Sequence, residues 1–524
     1  MDPDMAHSTA SGICAPSAVE EPLPLTQRPS ASAYRPRTSV PDSQPHDRFS
    51  NWQTLRRAAT LMVRPEKPIA KAPSVWRSIQ AIVFASWLNV LLVFIPISWV
   101  INFALPYQHT FIFVFSFLAI VPLANILSFA TDELSLRVGE PLASLIDITL
   151  GNLIELIISI IALTKCQITI VQSSLMGSVL SNILLVLGTC FFAGGLRFSE
   201  QGFGQSAVQI DSSLLTISII AVLLPGGVQM AVQGQPQYDE LSTNYNILKI
   251  SHGLAIILLF IYASYLVFQL LSHKALYDDY ADDIQMTRCY MGDNPFLLHR
   301  TRRNIMHSET VSSPSSARHG EAATTSFHPS DANPDVEPGT RSIISVEMEP
   351  EQPLMSLAVC LWLLVAVMVL VAVTTVFLVD SIDGLTSSGL INKEFISVIL
   401  LPMIGNVTGH VAEHATAVRR SVRDKLTLSL KVAVGSSIQI TLFVIPFIVT
   451  LGWIMNKPLS LLFDPLESIV LFLSVLTVSY MVQEGKSNWL KGMILICLYT
   501  MLGVTFWYYP GESLVGGTDE FHTC

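Results

Sequence analysis

Glu155 and Glu413 each sit inside an apolar segment, DITLGNLIELIISIIAL and LPMIGNVTGHVAEHATAV, and each is followed 22 residues later by a Gly-Ser pair, Gly177-Ser178 and Gly435-Ser436. A carboxylate in hydrocarbon costs several kcal/mol, so such residues mark ion or proton pathways by default. Two in matching positions of two halves point to an internally duplicated cation transporter. Around them the sequence gathers oxygen donors. Asn152 stands beside Glu155 at i,i+3 spacing, and Gly151 removes a side chain where an ion could approach backbone carbonyls. Ser178, Ser181 and Asn182 follow in the first half, and Ser436, Ser437 and Gln439 in the second. Calcium takes about six to eight oxygen ligands, and soft ligands are absent from this set. The donors suit a hard divalent cation. Two carboxylates close together in low dielectric resist being ionised at once. Metal and proton therefore compete for one site, and a carrier that crosses either metal-loaded or protonated is an exchanger.

The elements that must position these groups are membrane spans. The chain has 524 residues, 51% hydrophobic and 13% charged, where a soluble protein carries about a quarter charged residues. Eleven apolar runs reach the ~20 residues that a spanning helix needs, and the third and eighth carry the glutamates. The expected fold is an all-α polytopic membrane protein with eleven transmembrane helices. One extra N-terminal helix precedes two five-helix repeats, and because five is odd the second repeat inserts upside-down. The expected layout is a disordered tail over 1–77, the first helix and first repeat over 78–271, a connector over 272–352, the second repeat over 353–510 and a short tail over 511–524. The connector opens acidic (ALYDDYADD) and turns Ser/Pro/Arg-rich, a low-complexity composition. No signal peptide is expected, since the first long apolar run begins near Ser78. The first tail carries ten Lys/Arg, the connector seven, and the residues after Tyr508 none, which places the N-terminus and connector in the cytosol and the C-terminus in the lumen. The seven cysteines have no paired spacing, which argues against a disulfide framework.

The segments GNLIELIISIIALTKCQITIVQSSLMGSVLSNILLVLG, FFAGGLRFSEQGFG, AEHATAV, KVAVGSSIQITLF and EGKSNWLKG resemble the calcium/proton exchanger family, in particular its fungal vacuolar members. The resemblance runs from about Ser78 to Pro510. It implies an inverted-repeat fold and calcium leaving the cytosol for an acidic vacuole as protons return, with no cofactor, the lipid bilayer as surroundings and no nucleic acid. It also implies that Glu155 and Glu413 coordinate the ion, aided by Asn152, Ser181 or Asn182, and Gln439. Manganese in place of calcium, or sodium in place of protons, are alternatives on the same fold.

The second motif departs from the family's GNAAEH-like pattern. Gly405-Asn406 precede Glu413 by seven residues rather than three. In strict register Gly409 and His410 replace Gly-Asn; alternatively Asn406, His410 and Glu413 form one helical stripe, with Asn406 a turn farther from the ion. His410 and His414 are then modulators of the site, and a transport-impaired regulatory form is a third reading. The string His410-Val-Ala-Glu413-His414 also fits the H-x-x-E-H zinc-peptidase pattern, a short motif that leaves the rest of the chain unexplained. Asp147, two turns before Glu155, reads as an outer cation site or a solvated residue at the cavity mouth, and Asp211 reads likewise. Asp464 and Glu467 read as interfacial.

Overall fold

The computed structural model describes residues 70–233, 240–277, 284–290, 353–387, 389, 391–404, 417–418 and 420–511. The chain divides into two compact units, Met1–Leu61 and Met62–Cys524, and the described residues all lie in the second. Expectations about the N-terminal tail before residue 70, most of the connector and the segment 405–416 fall outside them.

Long apolar runs with no water to satisfy their backbone must close their hydrogen bonds internally, and helices do so. After a short helix α1 (Val75–Phe84) come α2 (Trp87–Ala104) and α3 (His109–Ser135). The bent pair α4 (Glu140–Gly151) and α5 (Leu153–Thr164) follows, then α6 (Ile168–Gly195), α7 (Gln205–Gln233) and α8 (Ser242–Ser272). The second half comprises α9 (Leu357–Ser387), a helical run α10 over 393–404, α11 (Leu426–Ile454), α12 (Pro465–Val482) and α13 (Trp489–Tyr508). Among the described residues nine helices are long and apolar enough to cross a membrane, or ten if α4 and α5 form one span. Against the eleven expected, the missing one is the run 394–418, described only at its two ends.

Two helices occupy the centre. In α6 and α11, 83% of the apolar stretch is buried inside the protein, against 11–33% in α2, α7, α8, α9, α12 and α13. These outer helices present Phe103, Phe260, Trp362 and Leu476 outward, as a lipid-facing surface requires. Both central helices contain a π-helical turn, Ser181–Val186 in α6 and Ile440–Val444 in α11. The register that pairs Glu155 with Glu413 also pairs Ser181 with Gln439, so the two turns begin within one residue of the same place. Such turns concentrate at functional sites.

Glycine sets the closest approaches. A Cβ on Gly177 of α6 would lie 2.0 Å from the Val398 carbonyl oxygen of α10, and one on Gly492 of α13 would lie 2.2 Å from the Phe192 nitrogen of α6. At one end of the bundle a small sheet closes the loops. β1 (Phe198–Gly202) pairs antiparallel with β2 (Arg288–Cys289) on one side and β3 (Lys486–Ser487) on the other. Part of the connector thus folds back onto the bundle, which its composition does not reveal. Of the described cysteines, Cys190, Cys360 and Cys497 are free thiols.

Candidate functional site

The span that carries the first glutamate is broken. α4 ends at Gly151, Asn152 leaves the helical region with φ −97° and ψ 15°, and α5 starts at Leu153 at an angle of 42° to α4. Glu155 therefore lies in the first turn of α5, where the helix dipole favours negative charge. It is 5% exposed. At the break the Asn152 N–H turns back to the Leu150 carbonyl. Such a backbone interruption is tolerated at membrane depth only beside protein or a polar cavity.

From the break a chain of side-chain hydrogen bonds crosses to the second half. Asn182 Nδ2 on α6 donates to Ser436 Oγ on α11 at 3.1 Å. Ser436 Oγ donates to Asn152 Oδ1 at 2.9 Å, and Asn152 Nδ2 donates to Gln439 Oε1 at 2.6 Å. All four residues are buried. Two residues from each half thus form one polar path beside Glu155, built from the donor types that a hard cation accepts.

The other expected site residues divide. Ser178 and Ser181 are buried on α6, and the Ser181 hydroxyl faces the Tyr499 phenol of α13. Gly151 closes α4 and frees the backbone at the break. Asp147 is exposed on α4 and accepts a hydrogen bond from the Ser135 hydroxyl. Gly405, Asn406, His410, Glu413 and His414 lie outside the described residues.

Asp211 and Glu467 correct their expected placement. Asp211 is buried on α7 and accepts hydrogen bonds from Tyr277 Oη at 3.2 Å and Tyr265 Oη at 3.4 Å. It is an internal anchor for the start of the connector, not a solvated residue. Burial first, then the Asp211 charge, hold the Tyr277 phenol well above the ordinary tyrosine range. Asp464 is the N-cap of α12, accepting from Leu466 N at 2.8 Å and Glu467 N at 3.2 Å, as an interfacial acid does. Glu467 is fully buried against Glu394. An acid one turn into a helix after Asp-Pro looks like a surface residue in sequence, and only the packing of α10 against it shows otherwise.

Comparison with known proteins agrees with this architecture. The family described as sodium/calcium exchanger protein matches residues 108–271 and 359–508, the two halves on either side of the connector. A vacuolar calcium ion transporter of Cryptococcus neoformans var. grubii is 44% identical over 502 residues, covering 89% of this chain and 81% of its own length. A Ca(2+)/H(+) antiporter of Aphanothece halophytica is 34% identical over 426 residues, covering 81% of this chain and 97% of its own. Among solved structures, native YfkE superposes with a TM-score of 0.56 at 24% identity, over 80% of this chain and 100% of that one, a likeness of fold.

Proposed function

The chain belongs to the sodium/calcium exchanger protein family, and on that basis we propose that it is an antiporter that carries Ca2+ from the cytosol into an acidic vacuole in exchange for H+. The observation that carries this reading is the buried path Asn182–Ser436–Asn152–Gln439 laid beside Glu155 at the helix break. Each bond in it joins neutral groups and contributes only about 0.5–1.5 kcal/mol net. An arriving cation can therefore take over the oxygens of Asn152 and Gln439 at modest cost, while Glu155 supplies the charge. When the cation leaves, the amides close on one another again and Glu155 takes a proton. The path spans the two halves, so making and breaking it is coupled to their relative movement.

The finer layout belongs to the same proposal. Eleven spans would divide into one helix and two inverted five-helix repeats, with Glu413 on the eighth span as the partner of Glu155. The matched π turns in α6 and α11 support the repeat. The N-terminus and connector would face the cytosol and the C-terminus the lumen. The curated fungal relative is named as vacuolar, which favours that membrane. Calcium is the first substrate, with manganese as the competitor to test.

The test is calcium-45 uptake into acid-inside vesicles by the intact chain and by Glu155→Gln and Glu413→Gln. Uptake should collapse in both variants and when an uncoupler dissipates the proton gradient. Uptake that a sodium gradient drives equally well would overturn proton exchange, and uptake in the double variant would overturn the paired-glutamate site.

A further inference from the structure

At the end of the bundle opposite the sheet, two carboxyl groups face each other inside the protein. Glu394 opens α10 and Glu467 lies in the first turn of α12; they are 6% and 0% exposed. The two carboxyl groups lie close enough to act on one another, and the Ser173 hydroxyl lies against both. The Ser173 hydroxyl of α6 donates to Glu394 Oε2 at 3.1 Å, whereas neither oxygen of Glu467 receives a hydrogen bond of good geometry.

The charged groups around the pair are engaged elsewhere. Asp464 caps α12 with Oδ1 and accepts from Tyr509 Oη, at the end of α13, with Oδ2 at 2.9 Å. Lys393 donates to Asp383 of α9 at 3.2 Å and to Gln167 at 2.9 Å. Among the described residues no cation therefore pairs directly with Glu467. Two ionised carboxylates buried in contact would repel strongly in low dielectric, and an acceptor left without a donor adds a desolvation cost. One positive charge between them removes both penalties.

Space and ligand number decide which charge. The backbone at Gly511, in the left-handed region at φ +72°, closes over Glu394 so that a Cβ there would lie 2.9 Å from Glu394 Oε1. Among the described residues no group of three or more Asp, Glu, His or Cys is arranged to hold a metal. Two carboxyls and a hydroxyl in a tight pocket fall short of the about six oxygens calcium needs but suit a proton held between two oxygens.

The location joins this pair to the central site. Ser173, Gly177 and Asn182 lie successively on α6, about 14 Å from first to last at 1.5 Å per residue. Gly177 packs on Val398, one turn after Glu394 on α10. One α6–α10 seam thus runs from the carboxyl pair toward the hydrogen-bonded path.

We propose that Glu394 and Glu467 share a single proton, forming a proton-holding site on the face away from the sheet that lies on the counter-ion route of the exchanger. The proposal rests on the proton-exchange reading. On loading, one proton from the water of that face bonds to one carboxylate oxygen and is hydrogen-bonded by the other. On release it returns to water, and the two carboxylates repel, loosening α10 from α12.

The test is infrared difference spectroscopy of the purified full chain in nanodiscs, between acid and alkaline buffer, paired with uptake at varied interior pH. The wild type should show a protonated-carboxyl band that is lost in Glu394→Gln and Glu467→Gln, persists in Glu155→Gln and shifts in Glu467→Asp, which keeps a carboxyl should the Gln variants fail to fold. The two Gln variants should also lose the dependence of uptake on interior pH. A band insensitive to both positions, an extra calcium-45 site lost in Glu467→Gln, or an unchanged pH dependence would each overturn the proposal. Uptake that is absent in the wild type while the band persists would instead overturn the exchange reading.

Discussion

Asn152 does more than neighbour a glutamate. It donates to Gln439 and accepts from Ser436, so one amide holds both halves of the path. Replacing it with Ala leaves a buried carbonyl and a buried hydroxyl short of partners, at about 1–3 kcal/mol for each. Asn152→Ala should lower the apparent melting temperature and weaken calcium uptake roughly tenfold, the effect of about 1.4 kcal/mol, read as a rise in the half-saturating calcium concentration. Glu155→Gln should abolish uptake with little loss of melting temperature, which separates coordination from packing. At this scale much was legible. Amides and hydroxyls in apolar runs are costly unless partnered, so Asn152, Asn182, Ser436 and Gln439 are marked by residue type and setting alone. Ser178 and Ser181 stand out equally and are buried on the same helix as Asn182. The Glu394–Glu467 contact was not legible: each residue looks like an ordinary acid at a helix start, and only tertiary packing brings them together.

The helices themselves followed from apolar length, and their interruptions did not. The span through Glu155 breaks at Asn152 without a proline, and the π turns of α6 and α11 carry no sequence mark beyond the duplicated register. Gly177, noted in sequence only as half of a Gly-Ser pair, serves packing. Its missing Cβ admits the Val398 carbonyl, which is how α10 comes close enough to α6 to form the seam. Gly177→Ala must push the two helices apart, and overpacking of this kind costs about 1–3 kcal/mol. Its melting temperature should fall by several degrees, measured in detergent against Gly503→Ala. A Cβ at Gly503 meets nothing within 4 Å, and that substitution should be near neutral.

Across the whole molecule, polar contacts collect at two opposite ends, as alternating spans demand. One end holds the three-stranded sheet, with Glu200 paired to Arg288 and Lys486 at 3.5 Å each, and Asp424 accepting from Thr287 at 2.7 Å. The other holds Lys165 with Asp380 at 3.0 Å, Lys393 with Asp383 at 3.2 Å, and Asp464 with Tyr509. Surface ion pairs contribute at most about 1 kcal/mol each, so these contacts say more about which loops share a face than about stability. Composition could not foresee the sheet, because its strands come from three distant loops and two of them are two residues long. The distribution of Lys and Arg carries an expectation of sidedness, with the connector and its strand facing the cytosol. Glu484, beside β3, and Tyr107, in the turn between α2 and α3, are both exposed and belong to opposite ends. In sealed vacuoles a membrane-impermeant maleimide should label Glu484→Cys directly and Tyr107→Cys only after permeabilisation, each read above the background of native thiols. Labelling of both in sealed vacuoles would contradict the two-faced arrangement, and the reverse pattern would overturn the orientation read from Lys and Arg.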